Sequence, residues 1–156
     1  MYSNNIICNI LEYINININT KITIENLEYH FFYNRYYLMK LFKKEMGITI
    51  LNYINKVRIY NSLNELNNTS NLLIKVAINN GFYSLEYFSE TFKKEIGVSP
   101  REYKKTIMNR YYYNDNIMNK INNNIISINK LIEKRDKYLH NKKPTITPVR
   151  KLSIFE

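Results

Sequence analysis

Arg35, Tyr36, Met39, Lys40 and Lys43 follow one another at alternating steps of one and three residues, a spacing that gathers side chains on one face of a helix. Arginine and lysine donate to guanine acceptors, and tyrosine or methionine can meet a thymine methyl, so this set suits the floor of a DNA major groove. Taken alone it also suits an ordinary solvated basic face. Lys43 with Lys44, Lys93 with Lys94, and the isolated Lys56 and Arg58 are better matched to phosphates, which position a protein without specifying sequence. Groups for other chemistry are missing. Cys8 is the single cysteine, which excludes an internal disulfide or a thiolate zinc cluster and predicts a small buried hydrophobe. His30 and His140 stand apart from acids and from each other. Without a nucleophile elbow, a phosphate-cradling glycine loop or paired carboxylates, neither an enzyme, a cofactor nor a metal site is expected.

The 156 residues carry a formal charge of +10 and 45% hydrophobic content, enough for a real core and a surplus that favours a polyanionic partner. Nucleic acid and an acidic membrane surface both satisfy that charge. No stretch approaches the roughly 18 apolar residues of a spanning helix. Residues 1–5 lack the basic start of a secretory signal, so a cytoplasmic protein is expected. Three glycines and three prolines are too few for a fold rich in tight turns, which favours helices.

An internal repeat supplies the elements. Residues 37–47, YLMKLFKKEMG, return fifty positions later as YFSETFKKEIG at 87–97, with Phe32-Tyr33 echoed by Phe82-Tyr83 and Tyr53 by Tyr103. Each copy reads as a short helix, a turn and a second helix. In the first, Leu27 and Phe31 lead, Asn34 caps, Leu38, Leu41, Phe42 and Met46 form the apolar stripe, and Gly47 stops the helix. In the second, Val76 and Ala77 lead, Gly81 turns, Ser84 caps, Leu85, Phe88, Phe92 and Ile96 form the stripe, and Gly97 stops it. Between the copies, residues 50–66 suit one amphipathic helix, a strut of about 24 Å. Ahead of them residues 6–16 read as a helix, although Ile14, Ile16 and Ile18 alternate like a strand. Tyr83, Tyr87 and Tyr103 have the spacing of core aromatics and are expected buried.

Residues 6–105 resemble the DNA-binding domain of the AraC/XylS family of bacterial transcription regulators. The resemblance rests on Tyr36-Tyr37-Leu38 with Leu41-Phe42-Lys43-Lys44, on the linker Tyr53-Ile54-Asn55-Lys56-Val57-Arg58-Ile59, and on Gly81-Phe82-Tyr83-Ser84 leading to Tyr87-Phe88. Its most recognisable part runs from Phe92-Lys93-Lys94 to Gly97-Val98-Ser99-Pro100-Arg101-Glu102-Tyr103. It implies a seven-helix bipartite domain that sets two recognition helices in adjacent major grooves and recruits or blocks RNA polymerase. Three positions depart from the family pattern: Glu28 replaces a small alanine, Asn80 replaces an apolar residue, and Glu90 stands where an arginine usually faces DNA.

The expected fold is therefore all-α, a bipartite double helix-turn-helix domain of two three-helix units joined by a linker helix, plus a C-terminal helix. The DNA-binding domain covers residues 1–105, and 106–156 form a helical extension with a linker-like tail. The expected function is sequence-specific binding of double-stranded DNA in bacterial transcription control. The contact set is Asn34, Arg35, Tyr36, Met39, Lys40, Lys43, Lys44, Lys56 and Arg58 in the first unit, and Ser84, Leu85, Glu86, Ser89, Glu90, Lys93 and Lys94 in the second. Across residues 35–58 the net charge is +5, whereas across 84–105 it is +1, so the first unit should supply most of the electrostatic grip. Met118, Ile121, Ile125, Ile128 and Ile132 form a seam on a helix over 116–139. A homodimer through that helix and packing back on the domain both fit the seam. The alternatives are an adaptor acting through protein contacts of that helix, motivated by Glu86 and Glu90, and a general basic binder of RNA or anionic membrane. Residues 142–150 read as a linker and 151–156 as the start of a strand.

Overall fold

The computed structural model describes residues 2–68, 72–108 and 115–141, so the linker and strand expected beyond residue 141 lie outside the described residues. Eight helices follow one another there, and no strand occurs among the described residues: α1 (Tyr2–Ile16), α2 (Ile24–Phe31), α3 (Arg35–Met46), α4 (Ile50–Asn68), α5 (Leu73–Asn79), α6 (Leu85–Ile96), α7 (Pro100–Met108) and α8 (Asp115–His140). The alternating isoleucines near residue 16 close a helix. Ile14 and Ile18 are both buried, one at the end of α1 and one just past it.

Local signals set the two recognition helices, α3 and α6. The Asn34 side chain accepts from the Tyr36 backbone N–H at 2.9 Å and that of Ser84 from the Tyr87 N–H at 3.1 Å, so each first turn has one orphan donor satisfied. Gly47 (φ 83) and Gly97 (φ 95) end the same helices in the left-handed region, where a side chain is strained.

The apolar residues divide into two cores, and α4 serves both. Ile50, Tyr53, Ile54 and Val57 pack with α1, α2 and α3, while Ile59, Leu63 and Leu66 pack with α5, α6 and α7. Val57 and Ile59 lie about 200° apart around a helix that turns about 100° per residue. The strut is therefore apolar on opposite sides at its two ends, not along one continuous face. That reversal lets one helix complete the core of both units.

The seam of α8 is used inside the chain. Ile121 and Ile128 are buried in the second core with Met118, Ile125 and Ile132 packed against it, and Leu131, Tyr138 and Leu139 pack on the first. Each fully buried isoleucine is worth about 1.5–3 kcal/mol, which makes α8 a brace across both units. Polar contacts fix its register: Asn124 Nδ2 donates to the Ile96 carbonyl at 2.9 Å, the Tyr138 hydroxyl to Glu45 at 2.9 Å, and the buried Cys8 thiol to the Tyr138 carbonyl at 3.2 Å. Arg135 interrupts the seam: its guanidinium pairs with Asp136 at 2.8 Å, beside the buried Tyr53 phenol, whose pKa burial pushes up to about 12.

Candidate nucleic-acid interface

The structure divides the candidate cations into outward and inward groups. On α3, Tyr36 (72% exposed), Met39, Lys40, Lys43 and Lys44 face outward, opposite the buried Leu38, Leu41, Phe42 and Met46. On α6, Glu86, Glu90, Lys93 and Lys94 are exposed, and Ser89 is half-buried. Both lysine pairs sit in the last helical turn, where the negative end of the helix dipole favours them. Asn34 and Ser84 act as helix caps, and Leu85 packs half-buried against the second core.

Three cations expected on the outside are engaged within the fold. Arg58 is 7% exposed: its Nε donates to the Ile18 carbonyl at 2.8 Å, its Nη2 to the Thr20 carbonyl at 2.6 Å, and its guanidinium lies 5.8 Å from the centre of the Phe82 ring. Burial lowers its pKa, but an arginine stays charged at neutral pH. A phosphate role for Arg58 is therefore corrected to a structural one, joining the segment after α1 to the second unit. Lys56 meets the buried carboxylate of Glu95 on α6, an ion pair that holds the second recognition helix to the linker helix in place of a phosphate. Arg35 bridges Glu25 at 3.1 Å and Glu28 at 2.9 Å on α2. The Glu28 carboxylate also accepts from the Arg35 backbone N–H at 3.1 Å, so the departure from a small residue gives α3 an acidic anchor at its first turn.

Asn80, the second departure, is buried and donates to the Val76 carbonyl at 2.8 Å and to Glu65 at 3.1 Å, so a polar residue is tolerated before Gly81. Glu90 is exposed, and no ion pair among the described residues includes it.

These pairings narrow the charge contrast between the units. Lys40, Lys43 and Lys44 remain outward in the first. In the second, Glu95 is matched by Lys56, and Glu102 accepts from the Ser99 backbone N–H and hydroxyl, each at 2.8 Å, at the start of α7. The acids left on the outer face of α6 are Glu86 and Glu90, beside Lys93 and Lys94.

The aromatic expectation holds for Tyr103, 3% exposed, and fails for Tyr83 and Tyr87, 71% and 43% exposed. The repeat carried the missed signal: Tyr33 and Tyr37, fifty positions earlier, are also exposed and lie off the apolar stripe. Tyr87 is tied to the linker helix, its hydroxyl accepting from Asn55 Nδ2 at 2.8 Å. Glu25 went unassigned because nothing local marks it as the partner of an arginine ten residues away.

Two helix-turn-helix units built on one shared helix define a bipartite helix-turn-helix protein. Residues 29–106 match the helix-turn-helix domain family model. The chain is similar to the HTH-type transcriptional activator AarP of Providencia stuartii, 28% identical over 103 residues that span 66% of this chain and 76% of that relative. Among solved structures it is similar to a Listeria innocua protein with unknown function, at 34% identity and TM-score 0.60, covering 62% of this chain and 92% of that one. It is also similar to the C-terminal domain of AraT, a response regulator from Geobacillus stearothermophilus, at 28% identity and TM-score 0.64, covering 70% and 92%. The chain belongs to the AraC-type helix-turn-helix family of DNA-binding transcription regulators. No helix among the described residues is long and apolar enough to cross a membrane.

Proposed function

We propose that the chain reads a specific duplex sequence by setting α3 and α6 into adjacent major grooves of one DNA face, with RNA polymerase as the machinery it recruits or blocks. One observation carries this reading: two recognition helices related by the fifty-residue repeat are both built on α4 and braced by α8, each with outward lysines in its last turn. Successive major grooves on one face are about 34 Å apart, a span that α4, 19 residues and about 28 Å long, supports once the offsets of the recognition helices are added. Lys40, Tyr36 and Met39 read bases; Lys43, Lys44, Lys93 and Lys94 hold phosphates; Arg35 positions α3 through Glu25 and Glu28. The activity is binding, with no chemical step, and it suits a cytoplasmic protein. Residues 1–105 form the DNA-binding body and α8 its brace, so a homodimer or an adaptor function through α8 would use the face left outside the seam.

Selection from random duplexes followed by footprinting tests this. The expected result is an enriched site protected over two segments about one helical turn apart. Protection of a single groove would remove the second unit from DNA.

Glu90→Arg tests the second unit separately. Exposed on α6, its carboxylate repels phosphates, so exchanging it for arginine should raise affinity about tenfold, about 1.4 kcal/mol, at constant salt. An unchanged affinity would place this face of α6 away from the duplex.

A further inference from the structure

Each unit has a cleft beside its recognition helix, and the two clefts are equivalent under the repeat. In the first unit Ile22, Ile24, Met39, Ile50, Leu51 and Ile54 line about 620 Å³ between the start of α2, the outer face of α3 and the start of α4. Fifty residues on, the same positions are Leu72, Ile74, Ser89, Pro100, Arg101 and Lys104, and all six line the second cleft of about 910 Å³.

The comparison separates what DNA needs from what the first cleft has. A wall meeting a phosphate strand is served by hydroxyl and cationic groups, which the second unit supplies at Ser89, Arg101 and Lys104. The first unit has Met39, Leu51 and Ile54 at these three positions, and Leu51 is 58% exposed. An apolar concavity of this size is in the range of sites that enclose a small organic molecule, about 300–1,000 Å³. Two lysines, Lys40 and Lys43, also line it, and neither takes part in an ion pair among the described residues.

We infer that the first unit's cleft binds a small amphipathic anion, its apolar body against Ile22, Ile24, Ile50, Leu51 and Ile54 and its anionic head at Lys40 and Lys43. The body leaves water for an apolar wall, and the head fixes its direction by charge-assisted hydrogen bonds. The same two lysines serve the duplex in the function proposed above, so an occupied cleft lowers DNA affinity. That consequence rests on the proposed function; binding of the anion itself does not.

Dodecanoate below its micellar concentration is the probe, and dodecyltrimethylammonium, with the same chain and opposite charge, is the control. Both are titrated into the isotope-labelled full chain and followed by NMR in the absence of DNA. Saturable shifts at Ile24, Ile50, Leu51 and Ile54 are expected with dodecanoate and not with the cation. L51R, which gives the first cleft the arginine that the second carries at position 101, should weaken dodecanoate at least tenfold while leaving the spectrum of the fold in place. No saturable shift, shifts centred on Leu72, Ile74 and Met108, an equal response to the cation, or undiminished binding by L51R would each overturn the assignment. A second titration with the selected duplex should show dodecanoate weakening DNA binding by the wild type and not by L51R. If the duplex is not bound at all, the proposed function fails while the first titration still stands.

Discussion

Arg58→Ala is expected to lower the melting temperature by about 6–12 °C and to weaken binding to a two-groove site more than binding to random DNA. Truncation leaves the Ile18 and Thr20 carbonyls without their partner, at about 1–3 kcal/mol each where they are shielded from water, and removes the side chain packed on Phe82. A loss of about 3 kcal/mol in a domain of this size corresponds to a shift of about 2–4 °C per kcal/mol. The effect on DNA is larger at the two-groove site because Arg58 joins the segment following α1 to the turn of the second unit. The α8 brace remains in the variant, so the units stay connected but lose one of the contacts that set their angle. Gly81 lies on the same seam: a Cβ there would come within 2.8 Å of the Ile18 carbonyl oxygen and 2.9 Å of Arg58 Nε, at a φ of +79 that already disfavours a side chain. Gly81→Ala should therefore destabilise too, and the double variant should lose less than the two singles added together. An Arg58→Ala protein melting within 2 °C of wild type, on the scale of about half a kcal/mol, would show that the contact adds nothing to stability.

The repeat made much of this fold legible. Both recognition helices, their caps and their stop glycines follow from residues close in sequence, and the apolar stripes identify which faces are buried. The fate of the cations was harder to read, because their partners are distant: Arg58 reaches back to Ile18 and Thr20, and Lys56 forward to Glu95. A basic residue on a helix is the same letter whether it meets a phosphate or a carbonyl. The linker helix misled for a related reason. Its apolar positions could be counted, but periodicity did not reveal that residues 50–57 and 59–66 serve opposite cores. For α8, the seam showed a covered face and left open what covered it, until Ile121 and Ile128 were found buried against their own chain.

Lys40 and Lys43 sit one turn apart on the same outward face and should nevertheless respond differently to removal. Lys40 lies in the middle of α3 beside Met39, where a helix in the major groove presents side chains to base edges. Lys40→Ala is expected to cost about 1–3 kcal/mol at the selected site and to relax sequence choice at one position, because a base-edge hydrogen bond is lost only where the matching base is present. Lys43 is in the last turn of α3, which in the proposed binding mode lies nearer the flank of the groove, where a phosphate is the expected partner. Lys43→Ala should weaken selected and random duplexes by similar factors and reduce the slope of log affinity against log salt by about one unit, since one fewer counterion is released. The salt titration separates base reading from charge attraction, because simple attraction would give both variants the same reduced slope and the same loss on every sequence. If Lys40→Ala weakens all duplexes equally, α3 lies along the backbone and not in the groove, and base recognition by the first unit fails with it.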